Sequence, residues 1–121
     1  MNKILIIDDD ARLVKNVETY LADFDYHIEG ALNGMEGLEK VKTFQPDLII
    51  LDLMMPKMDG FEFLEQIRQQ PLDEEPAVIV VTAKDLTAED LERLNGGVLR
   101  IVQKGDHASH GILKEIKRHL D

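Results

Sequence analysis

The sequence lacks cysteine, long apolar runs and an excess of basic residues. Without cysteine, its 121 residues can form neither disulfides nor thiolate metal sites, which fits a reducing compartment. Hydrophobic residues make up 44% of the chain, yet no run approaches the roughly 18–20 apolar residues of a membrane-spanning helix. We therefore expect no membrane insertion, and any metal site must use oxygen ligands or the four histidines.

Basic residues are in the minority, with 14 Lys and Arg against 24 Asp and Glu. The resulting charge of −10 would repel a phosphate backbone, so direct binding to nucleic acid is not expected. The first ten residues, MNKILIIDDD, cannot supply the apolar core of a secretory signal. We expect a cytoplasmic protein in which residues 1–121 form a single domain.

Short apolar runs alternate with segments that have helical spacing of apolar residues. The predicted strands cover residues 3–7, 27–31, 47–51, 77–81 and 98–102. The predicted helices cover residues 11–24, 35–44, 61–70, 87–95 and 108–120. This alternation predicts a parallel sheet with helices on both faces.

Side chains at particular spacings define these helices. The first two are predicted from apolar residues three and four positions apart, namely Leu13, Val14, Val17, Leu21 and Phe24, then Met35, Leu38, Val41 and Phe44. Asp10 is the expected N-cap of the first helix. Thr87 and Asp90 resemble a capping box at the start of the fourth.

Polar residues follow four of the five predicted strands. Asp8 and Asp9 end the first strand and Asp52 ends the third. Thr82 follows the fourth strand and Lys104 the fifth. Because right-handed crossovers place the carboxyl ends of all parallel strands at one edge of the sheet, these side chains are predicted to meet in one pocket.

Three carboxylates in one pocket raise each other's pKa unless a cation balances them. With no cysteine and no histidine at ligand spacing, the oxygen ligands favour Mg²⁺ over zinc. A carboxylate can also act as a nucleophile toward a phosphoryl group. We therefore predict phosphoryl chemistry at Asp52, where the hydroxyl of Thr82 and the ammonium of Lys104 help to stabilise the negative charge.

At this point the sequence resembles the receiver domains of two-component response regulators. The matching segments are ILIIDDD, LDLMMPKMDG, VVTAK and VQKG, in the order that the family has them. The resemblance implies a flavodoxin-like (βα)5 three-layer sandwich with a five-stranded parallel sheet in the order 2-1-3-4-5. It also implies a phosphoprotein that acts in phosphorelay signal transduction rather than as an enzyme.

The resemblance assigns roles to individual residues. Asp52 is the expected phosphate acceptor, Asp9 a direct ligand of Mg²⁺, and Asp8 a ligand through water. Met54 is expected to offer its backbone carbonyl to the metal, while Thr82 and Lys104 contact the phosphoryl group. The backbone amides of Leu53, Met54 and Ala83 are expected near the phosphoryl oxygens.

The resemblance also implies partners. Family members take the phosphoryl group from a phosphohistidine on a sensor histidine kinase or histidine phosphotransfer protein, and lose it by slow hydrolysis. We expect the phosphorylated surface to signal in trans to a protein target, or within a longer chain from which this one was cut. Homodimerisation on phosphorylation is a further expectation.

Two residues depart from the family pattern. Gly105 replaces the proline, often cis, that usually follows the lysine; because a cis bond before a non-proline residue costs about 3 kcal/mol, we expect a trans or flexible loop. Ile101 stands three residues before Lys104, where many relatives have Tyr or Phe. The aromatic part of the family's switch is therefore absent.

Other functions remain open at the level of sequence. A Mg²⁺-dependent small-molecule phosphatase could also form an aspartyl-phosphate, but haloacid-dehalogenase-type enzymes place a second Asp where this chain has Met54. A flavodoxin-like cofactor carrier would need a hydroxyl- and glycine-rich loop where this chain has Asp8, Asp9 and Asp10. An unphosphorylated scaffold is the remaining alternative.

Overall fold

The computed structural model describes residues 2–70, 75–94, 98–105 and 108–120. Strands and helices alternate along the chain, as the sequence predicts. The strands are β1 (Asn2–Ile7), β2 (Tyr26–Ala31), β3 (Leu48–Asp52), β4 (Ala77–Thr82) and β5 (Val98–Gln103). The helices are α1 (Ala11–Tyr20), α2 (Gly34–Phe44), α3 (Gly60–Gln69), α4 (Ala88–Leu94) and α5 (Ala108–Leu120).

The five strands form one parallel sheet in the order β2-β1-β3-β4-β5, which confirms the predicted architecture. Strands β1 and β3 are the most deeply buried, since Ile4 to Ile7 and Leu48 to Leu51 are fully inaccessible to solvent. Among the described residues, none of the helices is long and apolar enough to cross a membrane.

Side chains from the two faces of the sheet enter two separate apolar clusters. The first packs against α2, α3 and α4 and includes Ile7, Leu51, Phe63, Val80 and Leu94. The second packs against α1 and α5 and includes Ile6, Ile50, Val81, Ile112 and Ile116. Because neighbouring residues of β1 and β3 alternate between the clusters, continuous apolar runs are needed to fill both.

The structure corrects the prediction for two apolar residues. Helix α1 ends at Tyr20, and the backbone N–H of Phe24 donates to the carbonyl of Leu21 in a turn, so Phe24 is not on the helix. Phe24 is 41% exposed, and its ring stacks on that of Tyr26 with ring centroids 6.0 Å apart. Met35 does belong to α2, but it is 57% exposed and contributes little to the apolar face.

Strand and helix boundaries differ from the prediction by a few residues. Asp47 precedes β3 instead of beginning it, and its Oδ2 accepts a hydrogen bond of 2.9 Å from the backbone N–H of Lys3. The predicted end of the fourth helix at residues 95–97 and part of the proline-bounded loop at 71–76 lie outside the described residues.

Both predicted helix caps are confirmed. The Asp10 carboxylate accepts a hydrogen bond from the backbone N–H of Arg12 at the start of α1. Thr87 and Asp90 form a reciprocal capping box, in which each side chain accepts from the other residue's backbone N–H at 2.9 and 3.1 Å. The caps fix where these helices begin relative to the strand ends before them.

Strand β5 contains a bulge that the sequence analysis did not predict. Val98 pairs with Val78, but Arg100 pairs with the next residue, Ile79, so Leu99 is an extra residue in β5. The extra residue turns Arg100 toward α5 and Ile101 toward the cluster under α4. The bulge therefore decides which face each later residue of β5 occupies.

Gly60 allows the loop after β3 to fold back onto the strand. Its backbone N–H donates to the carbonyl of Leu53 at 3.0 Å. A Cβ at this position would lie 2.6 Å from the carbonyl oxygen of Asp52 and 2.7 Å from Cα of Leu53. Because these are backbone atoms, they cannot yield without moving the end of β3.

We predict that Gly60→Ala lowers the free energy of unfolding by about 2–3 kcal/mol, the cost of forcing atoms into a closely packed site. Gly105→Ala is the matched control, since a Cβ there would meet nothing within 4 Å. Urea denaturation of both variants measures the effect. Equal stabilities of the two variants would show that the loop absorbs the extra carbon.

Candidate functional site

Asp52 lies at the carboxyl end of the central strand β3, where the sequence placed it. Its side chain is only 2% exposed. The Oδ1 atom accepts a hydrogen bond of 3.2 Å from the backbone N–H of Met54, and Oδ2 lies 3.1 Å from Nζ of Lys104. Both carboxylate oxygens therefore have defined partners at the edge of the sheet.

Asp8 and Asp9 approach Asp52 from the end of the neighbouring strand β1. Asp8 is fully buried, whereas Asp9 is exposed. The backbone N–H of Asp8 donates to the carbonyl of Ala31, and its Oδ1 accepts from the backbone N–H of Asp10 at 2.8 Å. One carboxylate oxygen from each of Asp8, Asp9 and Asp52 lies within 4.8 Å of the others.

Thr82 and Lys104 come from the two strands on the other side of Asp52. Asp52 pairs with Val81, so buried Thr82 is the next residue along the adjacent strand. The backbone N–H of Lys104 donates to the carbonyl of Thr82 at 2.8 Å, which ties the ends of β4 and β5 together. The predicted convergence of four segments at one edge is thus present.

Lys104 provides the positive charge at the centre of the site. Its Nζ lies 3.1 Å from Oδ2 of both Asp8 and Asp52. Burial alone lowers the pKa of Lys104, but attraction to Asp8 and Asp52 outweighs burial and raises that pKa above its ordinary value. The lysine therefore stays charged and holds two carboxylates in place.

Asp8 is held in an environment that disfavours its charge. Burial is the main cause that raises its pKa, and the charge of Asp52 adds to it. The hydrogen bond from the Asp10 backbone and the attraction of Lys104 act in the opposite direction without cancelling the increase. Ionised Asp8 therefore costs free energy in the metal-free protein.

The residues present fit a divalent cation. Lys104 Nζ is near Oδ2 of Asp8 but lacks hydrogen-bond alignment, so this buried oxygen accepts no hydrogen bond from the described residues. Two of the three clustered carboxylates share the Lys104 ammonium, so among these described residues the ionised cluster carries more negative charge than this ammonium balances. Oxygen atoms with this charge are the ligands that Mg²⁺ prefers.

The remaining residues expected at the site differ in their exposure to solvent. Met54 has a 56% exposed side chain, and its backbone N–H already contacts Asp52. Leu53 is buried in the core, and Ala83 is exposed in the loop after β4. No peptide bond of the described residues is cis, so the bond before Gly105 is trans, as predicted.

The sequence analysis missed the role of Lys84, although it belongs to the quoted segment VVTAK. Its backbone N–H donates to Oγ1 of Thr82 at 3.0 Å. Its Nζ forms an ion pair of 2.9 Å with Oδ2 of Asp90 in α4. The only available signal was its position two residues after Thr82, in the loop between the site and the capping box.

Comparison with known proteins decides the family. The profile described as "Response regulator receiver domain" matches residues 4–116. The chain belongs to this family. The receiver fold is also found in a CheY-like receiver domain from Methanospirillum hungatei JF-1, which is 30% identical, with a TM-score of 0.85 over 100% of this chain and 94% of that one.

A second structure similar to this receiver domain holds ligands. Response regulator TrrA from Thermotoga maritima, described in complex with Mg(2+)-BeF, is 28% identical over 98% of both chains, with a TM-score of 0.80. It supports Mg²⁺ binding within the family.

Curated relatives of this receiver domain are longer proteins. The alkaline phosphatase synthesis transcriptional regulatory protein PhoP of Bacillus subtilis is 39% identical over 94 residues, which are 78% of this chain and 37% of that protein. The chain spans less than half the length of the first curated relatives that it matches. The similarity therefore covers only part of each of these relatives.

We predict that Asp8→Asn stabilises the metal-free receiver domain by about 1 kcal/mol, because it removes a buried like charge while Lys104 keeps Asp52 as its partner. The raised pKa of Asp8 determines whether the substitution stabilises or destabilises the protein. As the pH rises above the ordinary value of 3.8, the unfolded chain loses this proton first, so ionisation progressively opposes folding of the wild type.

The gain in melting temperature should therefore appear as the pH rises from about 4 toward 7 and be small below that range. Asp9→Asn is the matched control, because exposed carboxylates change stability by no more than about 0.5 kcal/mol. Thermal unfolding followed by circular dichroism across this pH range measures both. A variant less stable than the wild type at pH 7 would contradict the cost assigned to ionised Asp8.

Proposed function

We propose that Asp52 accepts a phosphoryl group from the phosphohistidine of a sensor histidine kinase or histidine phosphotransfer protein, in a step that requires Mg²⁺. The new phosphoryl group changes the surface of the domain, which then signals to a protein partner in trans. The observation that carries the proposal is the position of Asp52, buried at the sheet edge between an ammonium and two further carboxylates.

The transfer forms one bond and breaks another. A carboxylate oxygen of Asp52 attacks phosphorus, the P–O bond forms, and the P–N bond to the donor imidazole breaks; the electron pair remains on the departing nitrogen. Asp52 supplies a carboxylate oxygen as the nucleophile, oriented by Lys104 Nζ and by the backbone N–H of Met54. Catalysis of such a transfer depends mainly on positioning and charge neutralisation.

Residues around Asp52 supply both the positioning and the charge neutralisation. Asp8, Asp9, Asp52 and the backbone carbonyl of Met54 would hold Mg²⁺, which when bound neutralises charge on the phosphoryl oxygens. Asp8 contributes the buried oxygen that accepts no hydrogen bond from the described residues, and Asp9 contributes an exposed carboxylate from the same strand end. Asp8 would thus be a buried ligand of Mg²⁺ and Asp9 a solvent-accessible one.

Thr82 and Lys104 act on the phosphorylated product. Lys104 Nζ, shared by Asp8 and Asp52, would pair with a phosphoryl oxygen, since the new group carries about −1.5 to −2 charges. The hydroxyl of Thr82 would donate to another oxygen. These contacts draw the ends of β4 and β5 toward the acceptor, and that movement is the proposed start of the signal.

The phosphatase alternative finds less support at the same site. Met54 stands where such an enzyme would have its second Asp, and a thioether cannot donate a proton to a leaving group. Family membership also favours signalling, with self-phosphorylation and slow self-dephosphorylation as its only chemistry. We further propose that the protein acts in the cytoplasm, binds no nucleic acid through this domain, and can form a homodimer when phosphorylated.

We predict that a small phosphodonor such as acetyl phosphate, with Mg²⁺, adds one hydroxylamine-labile phosphoryl group to the wild type. Asp52→Asn should abolish the addition, because an amide is not a nucleophile toward phosphorus. Asp85→Asn serves as the matched control, since this exposed carboxylate lies in the loop after Thr82. Intact-mass spectrometry with peptide mapping measures the product, and modification of the Asp52→Asn variant would refute the assignment.

We also predict that Mg²⁺ raises the melting temperature of the wild type, with an increase that grows with the logarithm of its concentration above the dissociation constant. Asp9→Asn should lose most of this increase, whereas its metal-free melting temperature should stay close to that of the wild type. Differential scanning calorimetry measures both values, again with Asp85→Asn as control. An undiminished Mg²⁺ effect in Asp9→Asn would exclude Asp9 as a ligand.

A further inference from the structure

Helix α4 is attached to the domain mainly by polar contacts. Its buried residues are Asp90 and Leu94, so only one apolar side chain of this seven-residue helix is fully covered. Helix α3, by comparison, buries Gly60, Phe61, Phe63, Leu64 and Ile67. Because apolar burial is the main force that holds helices on a sheet, the position of α4 depends unusually on its ion pairs and hydrogen bonds.

The first of these contacts joins the start of α4 to the loop after β4. Lys84 Nζ lies 2.9 Å from Oδ2 of Asp90, and the same oxygen accepts the backbone N–H of Thr87. These two donors, the backbone of Thr87 first and the ammonium of Lys84 second, lower the pKa of Asp90. Asp90 is therefore ionised across the physiological range and binds Lys84 as a charged partner.

The same lysine also contacts α3. Its Nζ lies 5.5 Å from the ring centroid of Phe61, the second residue of α3. Arg93 of α4 stacks on this ring at 4.4 Å and pairs with Glu65 at 2.8 Å. Charged groups from the loop and from α4 thus meet on one aromatic ring of α3.

The other end of α4 has a tether of its own. Arg68 of α3 donates to the backbone carbonyls of Arg93 and Leu94 at 3.1 and 3.3 Å. Neither of these contacts involves the loop that follows Thr82. A change in that loop would therefore release the start of α4 while its end stays attached to α3.

Lys84 connects this helix directly to Thr82. Its backbone N–H donates to Oγ1 of Thr82, while its side chain binds Asp90. If Thr82 turns its hydroxyl toward a phosphoryl oxygen, the loop must adjust to keep the Lys84 N–H satisfied. This adjustment would pull Lys84 away from its partner Asp90 in α4.

We propose that the Lys84–Asp90 ion pair is a latch that holds the start of α4 in the unphosphorylated protein and opens when Asp52 is phosphorylated. The opening step rests on the function proposed above, whereas the closed latch is present without it. The latch offers a route from Thr82 to α4 in a chain where Ile101 cannot supply the aromatic switch. Opening it would expose more of the partly buried Ile101 and Leu86, which pack against the apolar cluster that Leu94 of α4 joins.

The test is hydrogen exchange of α4 amides by mass spectrometry in the wild type, Lys84→Gln and Asp90→Asn. Asn can still accept from the Thr87 N–H, so Asp90→Asn removes the charge while it keeps the cap. In the absence of phosphorylation, both variants should exchange α4 amides roughly two- to fivefold faster than the wild type, the range for one partly exposed ion pair. Phosphorylation should accelerate amide exchange in α4 of the wild type. In the two variants, it should increase the exchange rate only slightly further.

Lys40→Gln is the matched control. Lys40 forms a lysine–carboxylate pair of 3.0 Å with Glu29, and its side chain is 34% exposed, against 36% for Lys84. Its loss should leave exchange in α4 unchanged. The latch is refuted if Lys84→Gln also leaves amide exchange in α4 unchanged. It is equally refuted if phosphorylation accelerates that exchange to the same extent in Lys84→Gln and in the wild type.

Intact mass of the same samples separates the two proposals. A wild type that carries no phosphoryl group on Asp52 refutes the proposed function and the opening of the latch together. The unphosphorylated samples then still decide whether the ion pair holds α4. A phosphorylated wild type with unchanged α4 exchange refutes the latch alone.

Discussion

The ammonium of Lys104 lies between two buried carboxylates, and the arrangement of the sheet edge depends on it. Asp8 and Asp52 end neighbouring strands, so folding brings their charges together whether or not a metal is present. Lys104 reaches both, and its backbone is tied to Thr82 on the strand between Asp52 and itself. One side chain thereby links the ends of three strands and makes them sensitive to any new charge on Asp52.

The forces that hold the domain together are unevenly distributed. The central strands and α3 are fixed by apolar packing, which does not respond to a change of charge. Helix α4 is fixed largely by Lys84, Asp90, Arg93 and Arg68, whose contacts do respond. A change of charge near these contacts would therefore act on α4 more than on the apolar core.

Sequence reasoning predicted what depends on topology and missed what depends on side-chain conformation. Asp52 and Lys104 could be placed together because parallel strands end at one edge. Phe24 was misplaced because apolar spacing continued past the last turn of α1, where the chain already turns. The pairing of Lys84 with α4 crosses a loop whose path no periodicity reveals, and the bulge at Leu99 adds a residue without a glycine or proline to mark it.

That bulge also affects how the molecule meets other copies of itself. Strand β5 is at the edge of the sheet, and a regular edge strand offers a template for a strand of another chain. The extra residue at Leu99 interrupts the regular spacing of backbone donors and acceptors, and the charged side chain of Arg100 follows it. Together they make the β5 edge of this acidic domain a poor template for pairing with a strand of another copy, independently of any role in signalling.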